Sequence, residues 1–292
     1  MSLNGFINFL KPPGMTSHDV VASLRRLFNQ KSIGHLGTLD PGAGGCLPIA
    51  IGNATKLIRY ITEKNKSYRA EMLFGMESNT GDLFGEISDW ANPRIPDLSR
   101  LNEIIESFKG EIEQVPPMAS SIKVGGKKLY EYFRKGIDVE IPKRKVSIFS
   151  LDVMDYNYPR LIVDVSCSEG TYIRTLCQDI GAKAGCGAVM SFLVRTESAG
   201  FKIENSITYD EISDYYSNGD DFIVTPYEML SNYPEFELDL MLSRKVRYGN
   251  SFDVDLDLLD NSVVKLIDNE GIFIAIGRYI KGKISPERVF LN

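Results

Sequence analysis

The glycine-rich segment from Gly34 to Pro48 constrains the fold of this chain more than any other part of the sequence. Five of its first twelve residues are glycine, and a histidine and an aspartate stand among them. Glycine adopts backbone angles that are closed to other residues and lets other groups approach the main chain closely. Asp40 precedes Pro41, which favours an extended conformation at the aspartate. The segment predicts a shaped, helix-free loop that presents one carboxylate and one imidazole, although Asp and Gly are also favoured in ordinary turns.

The loop sequence, GHLGTLDPGAGGCLPI, resembles the catalytic loop of the TruB family of tRNA pseudouridine synthases. In that family a G-H-x-G-x-L-D-P run carries the nucleophilic aspartate. Three further segments are similar to the same family in the same order. They are NFLKPPGMTSHDVV near the N-terminus, QVPPMASSIKVGGKKLYEYFRKG from Gln114, and CSEGTYIRTLCQDIG from Cys167. The resemblance implies a pseudouridine synthase fold and an isomerase that acts on tRNA.

The order of the predicted helices and strands places the fold in the α+β class. Helices are predicted over residues 17–29, 98–109, 127–135 and 172–184, the last with Thr171 as its N-cap and Gly185 closing it. Strands are predicted over residues 47–51, 67–74, 146–154, 160–166, 262–267 and 271–279, with a short run at 288–291. Because no parallel βαβ repeat is present, we expect a central mixed, mainly antiparallel sheet flanked by helices.

A change in sequence character near residues 231–234 predicts two domains. We expect a catalytic domain over residues 1–232, with a basic RNA-binding insertion at about 114–136, and a small β-rich domain over residues 233–292. The second domain is similar to the PUA-type domain appended to TruB enzymes, in its position and its strand content.

The distribution of charge reconciles an acidic chain with an RNA substrate. The net charge of −6 argues against phosphate binding, which requires Lys and Arg. Residues 203–243, however, hold ten acidic and no basic residues, and the remaining 33 basic and 29 acidic residues give the rest of the chain +4. Residues 114–146 contain eight basic and three acidic side chains. A local basic surface of this kind attracts a polyanion whatever the net charge.

Other function classes lack their usual sequence signals. The four cysteines have no CxxC spacing and the chain has two histidines, so we expect no metal site, and no nucleotide-binding glycine motif implies an organic cofactor. No apolar run approaches the ~20 residues that span a bilayer, and no signal-peptide pattern opens the chain. We expect a cytoplasmic monomer with buried, reduced cysteines.

Two residues are candidates for the central catalytic pair. Pseudouridine formation breaks the N1–C1′ bond of a uridine, rotates the uracil and rejoins it through C5, which requires a carboxylate at the sugar–base junction. The resemblance makes Asp40 the nucleophile, and leaves open whether it attacks the sugar or the base or removes a sugar proton. In the matching GTYIR motif the arginine, Arg174, pairs with that aspartate, holding it charged and aimed. The alternatives are an Asx-turn aspartate and an exposed arginine.

The resemblance assigns further residues to the binding of the flipped base. Tyr68 packs against the target base in the family, with a proton-transfer role also proposed, although its alternation on a predicted strand equally suits a core tyrosine. His35 stacks against nucleotides during flipping, or is a buried histidine bonded to backbone. Tyr172 and Leu193 match positions that line the pocket, and packing alone is nearly as good an explanation of both.

The basic segment 114–136 is predicted to be a mobile flap that closes over RNA. Lys123, Lys127 and Lys128 surround Gly125 and Gly126, which supply backbone freedom. An exposed charged loop without function is the alternative.

The resemblance implies a tRNA pseudouridine synthase that modifies the uridine of the TψC loop, position 55 in tRNA convention. One alternative is an RNA-binding or tRNA-chaperone protein without turnover. Another is a guide-RNA-dependent pseudouridine synthase, which shares these motifs. A carboxylate hydrolase is more distant, because no matched second acid was found.

Overall fold

The structure, a computed structural model, describes residues 3–290. Its strands are β1 Gly5–Lys11, β2 Ile33–His35, β3 Gly44–Ile51, β4 Lys66–Phe74, β5 Met76–Ser78, β6 Ile87–Asp89, β7 Gly110–Gln114, β8 Lys123–Val124, β9 Lys127–Lys128, β10 Arg144–Asn157, β11 Arg160–Cys167, β12 Ala188–Ser198, β13 Phe201–Lys202, β14 Glu235–Leu238, β15 Phe252–Asp253, β16 Val263–Asp268, β17 Phe273–Ile280 and β18 Lys283–Val289. Its helices are α1 Ser17–Leu27, α2 Leu98–Glu106, α3 Leu129–Phe133, α4 Ile173–Ala184, α5 Tyr209–Asn218, α6 Pro226–Met229 and α7 Leu240–Arg247, with 3₁₀ helices at Gly52–Tyr60 and Ile203–Asn205.

The central sheet has nine strands in the order β1-β3-β12-β4-β11-β10-β7, with β2 paired to β3 and β13 to β12. Strands β3 and β12 run parallel, whereas the other pairs in this sheet are antiparallel. The α+β class and the mixed, mainly antiparallel sheet flanked by helices are therefore confirmed. The parallel pair sets the end of the glycine-rich segment beside β12.

Helix α1 forms as its sequence predicts. The Thr16 side chain accepts from the Asp19 amide, and the Asp19 side chain accepts from the Thr16 amide, which completes a capping box. Val20, Val21 and Leu24 form one buried stripe that joins the main core under the sheet. The helix thus covers the face of the sheet next to the glycine-rich loop.

Two local predictions are wrong. Residues 127–128 belong to a hairpin with residues 123–124 rather than to a helix, because Gly125 and Gly126 both adopt positive φ and make a two-residue turn. Helix α4 begins at Ile173 after Tyr172, and the Thr171 hydroxyl donates to the Ser168 carbonyl instead of capping the helix. Gly185 closes α4 in the left-handed conformation, as predicted.

Residues after 234 form a second, five-stranded sheet in the order β14-β16-β17-β18-β15. It has a core of its own and also shares an apolar cluster with the 3₁₀ helix Gly52–Tyr60 of the first part of the chain. A small β-rich unit is therefore present at the predicted place, although the last residue of the predicted run at 288–291 lies outside the described residues. Among residues 3–290, no helix is long and apolar enough to cross a membrane.

Candidate active site

The glycine-rich segment comprises the end of β2, the loop 36–43 and the start of β3, and it contains no helix. Gly45 has φ +106°, and a Cβ there would stand 2.3 Å from the Arg195 carbonyl oxygen. Only glycine therefore permits the close approach of β3 to β12 at this point. Leu39 is buried, and its amide and carbonyl both bond to the Ser17 hydroxyl at the start of α1. The bonds to Ser17 fix the backbone immediately before Asp40.

Asp40 and Arg174 form an ion pair. The Arg174 Nε lies 3.0 Å from the Asp40 Oδ2, and the arginine side chain is 6% exposed whereas that of the aspartate is 41% exposed. The other two guanidinium nitrogens donate to the carbonyls of Thr80 and Ala119, each at 3.0 Å. The arginine is thus held at three points, and it presents a carboxylate that a ligand can still reach.

Asp82 is a residue of this site that the sequence analysis missed. Its Oδ2 lies 3.7 Å from the same Arg174 Nε, and its side chain is 13% exposed. Its other oxygen accepts from the Thr80 hydroxyl and from the Phe84 amide. The available signal was the Gly-Asp pair at 81–82, which is also common in ordinary turns.

Arg195 is a second missed residue and lies directly beneath the loop. It is completely buried, and its guanidinium donates to the carbonyls of Cys46, Thr38 and Gly37 at 2.7, 3.1 and 3.2 Å. Lys11 supports the other side of the loop, where its buried ammonium donates to the carbonyls of residues 12, 15 and 41. Burial lowers the pKa of Lys11 to about 8, against the opposing attraction of Asp40.

Tyr68 lies in β4 opposite Arg195 and is 8% exposed. Burial raises the pKa of its phenol to about 12, although the Arg195 charge opposes the shift. The hydroxyl therefore stays protonated at neutral pH. This burial is compatible both with a core tyrosine and with a tyrosine that lines a base-binding pocket. The ring of Tyr68 forms part of the main apolar core together with Leu193.

His35 ends β2 and packs edge-on against His18, with ring centroids 5.7 Å apart. Burial lowers the pKa of His35, and the charges of His18 and Arg195 act in the same direction. Its Nδ1 is buried and has no hydrogen-bond partner among the residues that the structure describes. A neutral imidazole of this kind is suited to stacking rather than to ion pairing.

Tyr172 and the basic segment meet at the base of α4. The amide and carbonyl of Tyr172 bond to the side chain of Gln114, and Thr175 donates to the Val115 carbonyl. The Ala119 carbonyl accepts a hydrogen bond from Arg174, so the basic segment 114–136 is anchored to α4, the helix that carries this arginine. Lys123, Lys127 and Lys128 lie on the hairpin β8–β9, which follows these anchors in the chain.

The chemistry available here is that of one accessible carboxylate aimed by a buried arginine, beside a buried tyrosine. Within residues 3–290 no group of three or more His, Cys, Asp or Glu side chains is placed to hold a metal ion. All four cysteines are buried, free, and have thiol pKa values raised by burial, so they are poor nucleophiles. Among these groups, Asp40 is the carboxylate that is both held by a buried arginine and accessible to a ligand.

Comparisons with known proteins give the class and then the family. Residues 25–173 match the TruB family pseudouridylate synthase N-terminal domain, and residues 174–230 match the tRNA pseudouridylate synthase B C-terminal domain. The chain is a pseudouridine synthase, and enzymes of this class are isomerases. It belongs to the TruB family.

Curated relatives extend this similarity over nearly the whole chain. The tRNA pseudouridine synthase B of Caldanaerobacter subterraneus subsp. tengcongensis is 45% identical over 295 residues, which cover 99% of this chain and 100% of the relative. That of Heliobacterium mobile is 44% identical over 284 residues, which cover 95% and 91%.

Among solved structures, the fold is similar to a chain in an H/ACA RNP bound to a substrate RNA containing 2′-deoxyuridine. The TM-score is 0.73 at 25% identity, and the match covers 99% of this chain and 85% of that one. The pseudouridine synthase fold expected from the sequence is therefore confirmed.

Proposed function

We propose that this protein converts the uridine of the TψC loop of tRNA, position 55 in tRNA convention, to pseudouridine, with Asp40 as the catalytic carboxylate. The observation that carries the proposal is the Asp40–Arg174 ion pair, in which the arginine is buried and the carboxylate remains accessible. The names of the relatives support tRNA as the substrate.

The reaction conserves every atom of the nucleotide. The N1–C1′ bond breaks, the uracil turns, and a C5–C1′ bond replaces it while the C5 proton is lost and N1 gains one. Asp40 acts at the sugar–base junction of a uridine flipped out of its stack. Arg174 aims that carboxylate through its Nε, while the carbonyls of Thr80 and Ala119 keep the guanidinium from turning away. The water-poor floor of the site strengthens this attraction.

The residues around the ion pair would hold the flipped base. We assign Tyr68, Tyr172 and Leu193 to the pocket walls and His35 to stacking on a nucleotide, as expected for aromatic recognition of unstacked RNA bases. The raised pKa of Tyr68 supports a neutral phenol that packs or donates.

The basic segment 114–136 is assigned to the tRNA backbone. Lys123 and Lys127 are exposed, and Lys128 stacks over the Tyr130 ring at 5.5 Å. Cations on a hairpin anchored beside Arg174 are placed to contact phosphates near the target.

We propose a monomer that acts in the cytoplasm without a cofactor. In the domain division that we propose, residues 1–232 form the catalytic domain and residues 233–292 a PUA-like one.

A guide-RNA-dependent enzyme is the second candidate, because the similar solved structure is an H/ACA RNP. The higher identity to relatives named tRNA pseudouridine synthase B favours action without a guide.

The test is to incubate the purified chain alone with unmodified tRNA transcript and to map pseudouridine. We expect one modified uridine, in the TψC loop. Modification only after a guide RNA is added would favour the second candidate, and tight binding with no modification would favour an RNA chaperone.

A further inference from the structure

We propose that Phe84 is a stacking platform for an unpaired base of the substrate RNA next to the target uridine. The inference deepens the proposed function and rests on it. The position of Phe84 in the structure, and not a sequence motif, indicates this role.

The Phe84 ring packs against the catalytic loop. A Cβ added to Gly42 would stand 2.2 Å from Cε2 and 2.7 Å from Cζ of the ring. Gly42 follows Asp40 by two residues, so their Cα atoms are separated by at most about 7 Å. The ring therefore borders the mouth of the site on the side of the reactive carboxylate.

This ring is 80% exposed, although burying an aromatic side chain stabilises a protein. It belongs to none of the apolar cores within residues 3–290. Leu83 and Ile87, which lie close to Phe84 in the sequence, are also 41% and 47% exposed. A surface that remains apolar beside the reacting group is suited to a partner that covers it during the reaction.

The turn that carries Phe84 is held in place before any ligand binds. The Phe84 amide donates to Asp82 Oδ1 at 3.0 Å, and the Glu86 amide donates to Asn79 Oδ1 at 3.0 Å. The Met190 amide donates to the Gly81 carbonyl at 2.9 Å, which ties the turn to the central sheet. A platform fixed in this way loses little conformational entropy when a base stacks on it.

The position of the Phe84 ring near Asp40 indicates that an RNA base covers it. A strand whose uridine reaches Asp40 passes the ring within one or two nucleotides of the target. Every nucleobase has a flat face that stacks on an aromatic side chain, and such stacking does not require a particular sequence. Asp82 accepts from the Phe84 amide and lies 3.7 Å from Arg174, so the turn that carries the platform also contacts the arginine that pairs with Asp40.

The experiment compares Phe84→Ala and Phe84→Trp with the wild type on an unmodified TψC stem-loop. We expect alanine to weaken RNA affinity by about tenfold to hundredfold, and tryptophan to restore it, because a stacked base loses its platform only in the first variant. The rate for saturating RNA should change by less than about threefold, since Asp40 and Arg174 are untouched. Phe149→Ala, which removes another half-exposed ring from β10, should bind as the wild type does.

Stacking also has a direct readout. We expect 2-aminopurine next to the target to be quenched by the wild type and by Phe84→Trp but not by Phe84→Ala. Gly42→Ala should displace the ring and lose affinity by itself, and it should add nothing in the Phe84→Ala background. Unchanged affinity and quenching in Phe84→Ala, with the wild type active, would overturn this inference alone. A wild type that forms no pseudouridine in tRNA would overturn the proposed function instead.

Discussion

Two buried arginines give the site its structure, and they do so in different ways. Arg174 is shared by two carboxylates and two carbonyls, so its charge is directed towards Asp40. Arg195 donates to three carbonyls that belong to the loop and to β3. The first arginine orients the Asp40 carboxylate, whereas the second shapes the backbone that carries it.

Replacing Asp40 with Asn should abolish pseudouridine formation. The amide keeps the shape of the side chain but loses the charge that faces Arg174, and we expect turnover to fall by at least about a thousandfold. RNA affinity and the thermal midpoint should stay near those of the wild type, because 41% of the side chain is already exposed. Single-turnover kinetics on bound tRNA measure the effect, and near-normal turnover would contradict the assignment.

Replacing Arg174 with Ala should reduce the rate for bound RNA far more than the affinity. Its partner is a carboxylate and not a phosphate, so we expect a loss of about 10²–10³-fold in rate and a change of less than about fivefold in binding. Arg174→Lys serves as the control, since it keeps the charge but cannot make all three of the arginine's bonds. A collapse of affinity with an intact rate would show that Arg174 binds phosphate.

Replacing Arg195 with Met should destabilise the protein by about 3 kcal/mol or more. The substitution leaves three buried carbonyls without donors, and each unsatisfied group costs about 1–3 kcal/mol. Urea unfolding at neutral pH measures the free energy of unfolding. Arg195→Lys should lose less, because an ammonium can still donate to part of the set. Wild-type stability in Arg195→Met would mean that the loop does not depend on these bonds.

The sequence predicted the loop residues of the site better than their supports. Asp40 and Arg174 stand in compact motifs, and the structure brings them to 3.0 Å, while their catalytic roles stay predictions. Arg195 was missed because its partners lie about 150 residues away in the chain, so no local pattern marks it. Asp82 was missed because Gly-Asp pairs also occur in ordinary turns.

At the scale of secondary structure elements, those with a clear local pattern of apolar residues were predicted and those without one were not. Helix α1 has a capping box and one apolar stripe, and it was found within two residues. Strand β12 was missed because two register irregularities, at 190–192 and 195–197, interrupt its alternation. Strand β1 is buried on both faces and also lacks alternation.

The exposed lysines of the hairpin β8–β9 lead to a prediction about tRNA binding. Changing Lys127 and Lys128 to Gln should weaken tRNA binding and flatten its salt dependence by about one unit of slope for each phosphate that a lysine no longer neutralises. The rate for bound RNA should change much less, because neither lysine lies at Asp40. Affinity across a salt series provides the measurement.

Two lysines near the hairpin, one in a loop and one in β10, provide a matched control for the hairpin variant. Lys143 and Lys145 pair with Glu113 and Glu111 at 3.6 and 2.8 Å, so their charges are already compensated. Changing both to Gln should alter the salt slope less than the hairpin variant does. Equal slopes for all three proteins would leave the segment as an ordinary charged loop.

At the scale of the whole molecule, the second sheet is joined to the first part of the chain by a mixed interface. Ile276 and Phe290 share an apolar cluster with Phe6 and Leu57. A polar contact lies beside it, where the Tyr233 hydroxyl donates to the Tyr60 carbonyl at 2.7 Å. Cys46, which lies in β3 within the glycine-rich segment, belongs to the same cluster, so the interface extends to this strand.

This interface predicts that the two parts of the chain unfold together. Ile276→Ala should destabilise the protein by about 2–5 kcal/mol and separate one unfolding transition into two, because it removes a completely buried side chain from the shared cluster. Ile274→Ala is the matched control, since Ile274 is equally buried but lies in the core of the second sheet alone. It should lower stability without separating the transitions, as long as the interface is intact. Calorimetry and the fluorescence of Trp90, which lies in the first part, distinguish the two outcomes. If Ile276→Ala and Ile274→Ala gave the same single transition, the shared cluster would not couple the catalytic loop to the second sheet.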